Sequence, residues 1–308
     1  MPNSVRIDHT VLHALNNPTP GLPATTKIQL HIASVTSKIS TALGECETST
    51  TGLMADPLPL VRVFETELSM IQDRYAGEWS PAEEVSFLDA RLSLYCYVLD
   101  QVKHQPLESL RPVNQLIAQS SITARQLLIV VTTLPDVLSK GVFHVFRCAS
   151  YAAFFLLRLL GMAPRQLIDE TDTRNIIRQT FALMRDLSQT GNDRRFQCMR
   201  VCRIIEHMID HDWDTDMPMP FTSKAESFMA NNFVADVAAR GIFKANQQNA
   251  AAQTERDCRI SEVPGVPAGM ESDFDLDLSI WDPMAWTMNW DNIDDLLLPS
   301  ANTGGGYP

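Results

Sequence analysis

The sequence predicts an all-α protein: a body of about eight helices around one buried central helix, followed by a linker and an acidic tail. In segment after segment, apolar residues recur three and four positions apart, which is typical of amphipathic helices. No alternating apolar pattern is long enough to predict a sheet. The chain has 308 residues, 45% of them hydrophobic, so it can also bury a large core.

Three helices are predicted in the first third of the chain, each with one apolar face. The predicted core faces are Ile28, Ile32, Val35 and Ile39 in residues 24–43; Val61, Phe64, Leu68, Ile71 and Tyr75 in residues 59–75; and Val85, Leu88, Leu92, Tyr95, Leu99 and Val102 in the helix after Ser80. We expect Thr25 and Thr26 to cap the first helix. Ser80, Pro81 and Glu83 form the N-cap, first-position proline and capping-box pattern of the third.

Five further helices are predicted, joined by short turns that contain glycine or proline. Their ranges are 113–138, 141–160, 165–188, 193–210 and 222–243. Residues 141–160 are predicted to be the central helix, because almost every position is apolar. Two arginines in this helix make it a poor membrane span, which favours burial inside the protein. We expect no other segment to span a bilayer, and the N-terminus lacks the pattern of a secretory signal.

The central helix carries one polar stripe. At 100° per residue, Lys140, His144, Arg147 and Arg158 fall on the same narrow face, together with Tyr151. These cations could line a cleft for an anionic small ligand. The alternative is that they reach solvent or pair with acids of neighbouring helices.

The cysteines predict neither disulfides nor a metal site. They occur singly, mostly within apolar helical patterns, at positions 46, 96, 148, 198, 202 and 258, which is typical of core residues in a reducing compartment. His207 and His211 are four residues apart and could ligate a metal with Cys198 and Cys202. Because the segment from Cys198 to His207 turns through roughly 900° of helix, one straight helix cannot bring these four groups together. We therefore expect no cofactor in this chain.

Charge divides the sequence into two unequal parts. The formal net charge is −12, and residues 260–308 contain nine of the 37 acids and none of the 25 bases. Residues 1–259 therefore carry 28 acids against 25 bases and are nearly neutral. Neither part has the basic surplus that binding to phosphate backbones requires, so direct contact with DNA is not expected.

The acidic tail is the strongest functional signal. The predicted organisation is a flexible N-terminus (1–23), a helical regulatory domain (24–243), a polar and Pro/Gly linker (244–270), an acidic-aromatic activation segment (271–298) and a flexible C-terminus (299–308). Acids that alternate with apolar residues are typical of disordered activation segments, which fold into a partner's groove. The predicted contacts are Trp281, Trp286, Trp290, Ile293, Leu296 and Leu297. Alternatively, this segment docks permanently on the body.

An enzymatic interpretation has weaker support. Asp291, Asp294 and Asp295 lie on one helical face and could hold Mg²⁺ for an isoprenyl diphosphate in an all-α prenyl-chain enzyme. They follow the predicted flexible linker, where a preorganised cavity is hard to build. No second Mg²⁺ motif, nucleophile elbow or phosphate-binding glycine loop occurs. We therefore expect the chain not to be an enzyme.

Residues 78–99, EWSPAEEVSFLDARLSLYCYVL, carry a resemblance to a known family. A tryptophan, an acidic cap and a leucine- and tyrosine-rich helix resemble the regulatory region of fungal-specific transcription factors of the zinc binuclear cluster class. The apolar central helix, the helix from Arg194 and the acidic tail are similar in kind, so the resemblance covers residues 25–298. It implies a nuclear transcriptional regulator, present also in the cytoplasm, which activates a metabolic or secondary-metabolite gene set.

The family's DNA-binding module is not found in this sequence. That module has six cysteines that begin C-x(2)-C-x(6)-C among basic residues, and the cysteines here have no such spacing. Zinc and DNA binding are therefore implied for no residue of this chain. Either Met1 is internal to a longer regulator, or the protein lacks the module and reaches DNA by dimerising with a DNA-binding regulator. The alternative function is a helical scaffold or adaptor without transcriptional output.

Overall fold

The computed structural model describes residues 22–46, 54–77, 79–102, 111–133, 142–162 and 167–188, together with Ile205 and Ile209. These stretches form helices and contain no strand. The helices are α1 (Ala24–Gly44), α2 (Leu58–Arg74), α3 (Pro81–Val102), α4 (Arg111–Thr133), α5 (Val142–Met162) and α6 (Glu170–Ser188). The all-α prediction is thus confirmed for this part of the chain. The last two predicted helices, the linker and the acidic tail lie outside the described residues.

Helix α3 has the most neighbours in the body. It packs against α1, α2, α4 and α5. Helices α1 and α2 also contact each other, and α6 packs on α4 and α5. Side chains of α3 therefore take part in interfaces all round the helix.

The apolar faces predicted for the first three helices are confirmed. Every residue of the α1 and α2 faces is at most 9% exposed, as is every residue of the α3 face from Val85 to Leu99. Leu68 and Leu92 are completely buried. Burial of such a side chain stabilises the fold by about 1.5–3 kcal/mol. The three-four spacing was a sufficient guide for α1 and α2, each of which has one side facing the core. Helix α3 is buried at residues 85–90 and 94–99, so its predicted face covers only part of its buried surface.

Helix α5 is the buried helix that the sequence predicts. Its residues 148–159 are all buried, and Phe154 and Phe155 have no exposed surface. A helix that is apolar on almost all sides must be covered on all sides. Helices α3, α4 and α6 provide contacts for it.

The helix starts show one wrong prediction and one that holds in part. Helix α1 begins at Ala24 after Pro23, and no side chain caps it, so the capping role predicted for Thr25 and Thr26 is wrong. At α3 the backbone N–H of Ser80 donates to Glu83 Oε2 at 2.9 Å, which is one half of the predicted capping box. The Ser80 hydroxyl also donates to this carboxylate. The acid therefore anchors the start of α3.

Helix α6 begins later than the sequence predicts. Its first residue is Glu170, and Asp169 acts as the N-cap: its Oδ1 accepts from the N–H of Asp172 at 3.0 Å. The carbonyl of Asp169 accepts from the N–H of Thr173, also at 3.0 Å. An aspartate is a strong helix start, and the prediction of a helix from residue 165 overlooked it.

Among the described helices, α4 is long and apolar enough over Val113–Thr133 to cross a membrane, by length and composition alone. The sequence predicts no membrane span at this stretch. Half of it is buried within the protein, where α4 packs against α3, α5 and α6. A core helix of a globular body passes the same test.

Candidate functional site

Six polar side chains meet where α3 packs against α1 and α5, and we call this group the polar junction. Its members are Gln29 of α1, Ser86 and Asp89 of α3, and His144, Arg147 and Cys148 of α5. His144 and Arg147 belong to the predicted cationic stripe. The junction lies at the edge of the core, since Cys148 is buried whereas His144 is exposed.

An ion pair joins α3 to α5 at the junction. Arg147 Nη2 donates to Asp89 Oδ2 at 2.9 Å. The side chain of Asp89 is 12% exposed and that of Arg147 is 37% exposed, so the pair reaches the surface on the arginine side. The Asp89 carboxylate raises the pKa of Arg147 above its ordinary value. Arg147 thus pairs with an acid of a neighbouring helix, which is the alternative to a ligand cleft that the sequence left open for the stripe.

The Ser86 hydroxyl connects His144 to α1 and to the preceding turn of α3. The Ser86 hydroxyl donates to the Ala82 carbonyl at 3.0 Å and accepts from Gln29 Nε2 at 3.3 Å. When Ser86 gives its one proton to the Ala82 carbonyl, His144 Nε2, at 3.0 Å, acts as the donor to Ser86. In that tautomer Nδ1 is the acceptor, and Cys148 Sγ lies 3.8 Å from Nδ1 and 3.7 Å from Nε2.

The surroundings of His144 favour this neutral form. Loss of hydration around the ring and the nearby Arg147 guanidinium lower the pKa of His144, while the Asp89 carboxylate opposes them. His144 therefore serves as a neutral bridge between α5 and α3.

The junction contains a serine, a histidine, a cysteine and an aspartate, but it activates neither nucleophile. The Ser86 hydroxyl is shared among the Ala82 carbonyl, Gln29 and His144, so its proton is not committed to a base. Cys148 has no exposed surface, and burial followed by the Asp89 carboxylate raises its pKa well above the ordinary value. A nucleophilic cysteine needs a lowered pKa and access to substrate. As arranged, these groups hold three helices together.

The rest of the predicted stripe lies apart from the junction. Tyr151 is buried, its hydroxyl contacts Cys96 Sγ, and burial raises its pKa well above the ordinary value. Arg158 is 5% exposed and lies about three helical turns beyond Arg147. Lys140 is outside the described residues. The structure thus brings His144 and Arg147 together but does not place Arg158 beside them.

The acceptors and donors that complete the junction were missed by sequence reasoning. Ser86 and Asp89 interrupt an otherwise apolar run of α3, and they are 7% and 8% exposed. Buried polar residues three positions apart signal a polar partner on the facing helix. Gln29 gives no such signal, because nothing in its sequence surroundings distinguishes it from an ordinary surface glutamine of α1.

A second polar group, the Glu65 cluster (Glu65, Arg91 and Tyr95), lies on the opposite face of α3, against α2. Arg91 makes a bidentate contact, from Nε to Glu65 Oε2 at 3.2 Å and from Nη2 to Oε1 at 3.3 Å. The Tyr95 hydroxyl donates to the same carboxylate. Burial and this hydrogen bond raise the pKa of Tyr95 above its ordinary value. The cluster joins α2 firmly to α3.

An aromatic row extends from the Glu65 cluster to α1. The ring centroids are 5.6 Å apart between His31 and Tyr75, 6.5 Å between Tyr75 and Trp79, and 5.1 Å between Trp79 and Phe87. The guanidinium of Arg91 lies 5.6 Å from the Phe87 ring centroid. Such edge-on and cation–π contacts each stabilise by about 0.5–1.5 kcal/mol beyond burial. Residues 78–99, which carry the family resemblance, thus supply much of the packing between α1, α2 and α3.

The described residues contain no group of three or more His, Cys, Asp or Glu side chains suited to hold a metal ion. The other predicted candidates lie outside these residues: Cys198, Cys202, His207 and His211; Asp291, Asp294 and Asp295; and the six apolar contacts of the activation segment, Trp281, Trp286, Trp290, Ile293, Leu296 and Leu297. They remain predictions.

Comparison of the chain with family models, curated proteins and solved structures gives no match. Function is therefore inferred from the chemistry of the residues and from the resemblance of residues 78–99.

Proposed function

We propose that this chain is a transcriptional regulator, an activator whose helical body carries an acidic segment that recruits coactivator proteins. One observation carries the proposal: in residues 271–298, acids alternate with tryptophan, leucine and isoleucine. Because the carboxylates repel one another, the apolar side chains do not cluster within the segment and stay accessible to a partner protein. Acidic-aromatic composition of this kind is typical of activation segments.

The segment would bind as a short helix in an apolar groove. Trp286, Trp290, Ile293 and Leu297 are spaced four, three and four residues apart, so they form one face when the segment becomes helical. A tryptophan buries about 150–250 Å² and gives an interface most of its affinity. We expect Trp286 and Trp290 to contribute most, with Trp281 and Leu296 at the edges of the contact.

The helical body would position or inhibit the segment. Residues 1–259 are nearly neutral, with 28 acids and 25 bases, whereas the remainder is strongly acidic. In the cleft interpretation of the stripe, an anionic inducer would reach the body at the partly exposed Arg147 and the exposed His144, and it would have to displace the ion pair of Arg147 with Asp89. In this proposal the inducer competes with Asp89 for Arg147 and loosens the contact between α3 and α5.

DNA would be reached indirectly. Since the sequence given contains no zinc-cluster cysteine spacing, promoter recognition would come from an upstream module or from a DNA-binding regulator with which the chain forms a homo- or heterodimer. The protein would then act in the nucleus and exchange with the cytoplasm. No membrane partner is part of the proposal.

A reporter assay tests the proposal. Residues 1–308 and residues 260–308 are each fused to an unrelated DNA-binding domain, with and without Trp286→Ala/Trp290→Ala. The matched control is Val63→Ala/Met70→Ala in the full chain, because these side chains are also apolar and are 58% and 65% exposed. We expect the tryptophan changes to reduce activation about tenfold or more, and the control changes to leave it unaltered.

The two fusions separate activation from its control by the body. An active fusion of residues 260–308 beside a weaker full-length fusion means that the body inhibits the segment, as proposed. Silence of both fusions, with normal protein levels, rejects the activation function and favours a helical scaffold or adaptor. Activation that survives the tryptophan changes rejects the assigned contacts.

A further inference from the structure

The polar junction contains a buried acceptor that lacks a strong donor. Asp89 Oδ2 accepts from Arg147 Nη2 at 2.9 Å, whereas Asp89 Oδ1 is buried and has no hydrogen-bond partner among the described residues. Asp89 as a whole is 8% exposed. The thiol of Cys148 lies beside this carboxylate but is only a weak donor. Because a buried carboxylate oxygen without a donor is unfavourable, Asp89 retains the capacity to accept a further, stronger donor.

Arg147, on the other side of the same ion pair, retains donors. A guanidinium carries five N–H donors. Towards the described residues Arg147 uses Nη2, which contacts Asp89 Oδ2 at 2.9 Å and Cys148 Sγ at 3.8 Å. Its side chain is 37% exposed, so part of it faces solvent. An anionic group can therefore reach Arg147 at the edge of the core where Asp89 lacks a donor.

The charges of the junction balance one another. Asp89 contributes one negative charge and Arg147 one positive charge. His144 is neutral near pH 7, because loss of hydration and the Arg147 guanidinium lower its pKa. Cys148 remains a neutral thiol, because burial raises its pKa well above the ordinary value. A ligand with a net charge would disturb this balance in a partly buried site.

This balance discriminates between three classes of small ligand. An anion that takes Arg147 from Asp89 leaves a mostly buried carboxylate without its counter-charge, which is strongly unfavourable. A cation that binds Asp89 is repelled by Arg147, or displaces it and takes away its counter-charge. A zwitterion brings an anionic group for Arg147 and an ammonium for Asp89, so each side chain keeps an opposite charge beside it. The junction therefore favours a zwitterion.

The two charges of such a ligand must lie close together. Arg147 Nη2 and Asp89 Oδ2 are 2.9 Å apart, so the guanidinium and the carboxylate are direct neighbours. An α-amino acid carries its ammonium and its carboxylate on the same carbon atom, whereas a long methylene chain separates them in ε-aminocaproic acid. Hydrogen bonds between ionised groups are short and strong, so they reward this match of spacing.

We propose that the polar junction binds a small zwitterion of the α-amino acid class, with its carboxylate on Arg147 and its ammonium on Asp89. The bound ligand takes the place of the direct ion pair between α3 and α5 without leaving either charge unpaired. This inference rests on the proposed function for its biological role, that of the inducer, whereas binding itself is measured apart from transcription.

An NMR titration of the full chain tests the proposal. Glycine, acetate and glycinamide are similar in size and carry both charges, the negative charge alone and the positive charge alone. Each is added to about 100 mM at constant ionic strength and neutral pH, a range suited to so small a ligand. The Nε–H signal of Arg147, assigned by its loss in Arg147→Gln, reports binding.

We expect glycine to bind about tenfold or more tightly than acetate, glycinamide or ε-aminocaproic acid. Acetate that binds as tightly as glycine would identify an anion site, and glycinamide that does so would identify a cation site. Either result overturns the proposal, as does a titration in which glycine does not bind.

Two variants assign the contacts, with backbone amide signals as the readout. Asp89→Asn removes the partner of the ammonium and Arg147→Gln that of the carboxylate, so each should weaken glycine binding about tenfold or more. Asp89→Asn should also abolish the preference for glycine over acetate. Glu67→Gln removes one charge from the exposed pair of Glu67 with Lys38 and should leave glycine binding unchanged. Equal losses in all three variants, with helices retained by circular dichroism, contradict the assignment.

Binding and activation can fail separately. If glycine binds as expected but both reporter fusions are silent, the ligand site stands and the proposed function fails. If the fusions activate transcription and glycine does not bind, the proposed function stands and the inference about the ligand fails.

Discussion

The Glu65 cluster and the polar junction are two ion-pair sites on opposite faces of α3, and they differ in depth. In the cluster, both side chains of the Glu65–Arg91 pair are about equally buried, at 17% and 16% exposed. In the junction, Arg147 is 37% exposed. The cluster also has a bidentate contact and the Tyr95 hydroxyl on one carboxylate, whereas Arg147 reaches Asp89 through one nitrogen.

This difference in burial decides whether the arginine of each site can lose or exchange its acidic partner. When a buried charge loses its partner, it keeps its cost of desolvation, whereas an exposed one can turn to water. The Glu65 cluster should therefore be rigid and essential for packing α2 onto α3. The junction should allow Arg147 to exchange its partner, which is the property that a ligand-responsive site requires.

The largest effect is expected from Glu65→Ala. Arg91 and Tyr95 would lose a shared acceptor in a mostly buried interface, so the free energy of unfolding should fall by about 2–3 kcal/mol. Urea unfolding measures it. Glu67→Ala is the matched control on the same helix, because the pair of Glu67 with Lys38 is 32% and 51% exposed. It should cost less than about 0.5 kcal/mol. If Glu65→Ala and Glu67→Ala lower the free energy of unfolding equally, burial of the ion pair does not decide its contribution.

A smaller loss is expected from Asp89→Ala at the junction. Arg147 can turn its partly exposed guanidinium to solvent, so the free energy of unfolding should fall by only about 1–2 kcal/mol. Asp89→Asn keeps an acceptor for Arg147 and should fall between Asp89→Ala and the native protein. A loss in Asp89→Ala as large as that in Glu65→Ala would show that Arg147 is held as rigidly as Arg91.

The smallest effect is a dependence on pH that belongs to His144. The pKa of His144 is lowered in the folded protein from its ordinary value of 6.5. Below about pH 6.5 the unfolded chain therefore binds a proton that His144 in the folded protein does not take up. The free energy of unfolding then decreases as the pH is lowered, until the pH reaches the lowered pKa of the folded protein. The loss from one group cannot exceed about 1.4 kcal/mol per pH unit, and solvent screening keeps it smaller.

His144→Gln retains a donor for Ser86 and removes the titration. Unfolding measured from about pH 5 to 7.5 should therefore show a shallower slope in the variant than in the native protein. Burial and the nearby Arg74 and Lys38 also lower the pKa of His31, so His31→Gln should remove a separate share of the slope. An unchanged slope in His144→Gln would mean that the junction does not resist protonation.

Among the described residues, sequence alone predicted the buried faces of α1 and α2, part of that of α3, and the buried helix α5. The spacing of Ile28, Ile32, Val35 and Ile39 predicts both α1 and its core side, and each of these residues is at most 4% exposed. The same holds for the almost completely apolar α5. Hydrophobic periodicity is local, because the turn of a helix alone decides which residues share a side.

Only the tertiary structure decided which polar groups meet. Ser86 and Asp89 are separated from His144 and Arg147 by more than fifty residues, and the packing of α3 on α5 brings them together. The stripe on α5 predicts Arg147 but gives no sign that its acid is Asp89. Likewise, Arg158 shares the stripe yet lies in the core. The helical wheel gives the angle of a residue around its own helix. Its burial and its partners depend also on which neighbouring helix packs at that angle, and on the position of the residue along the helix axis.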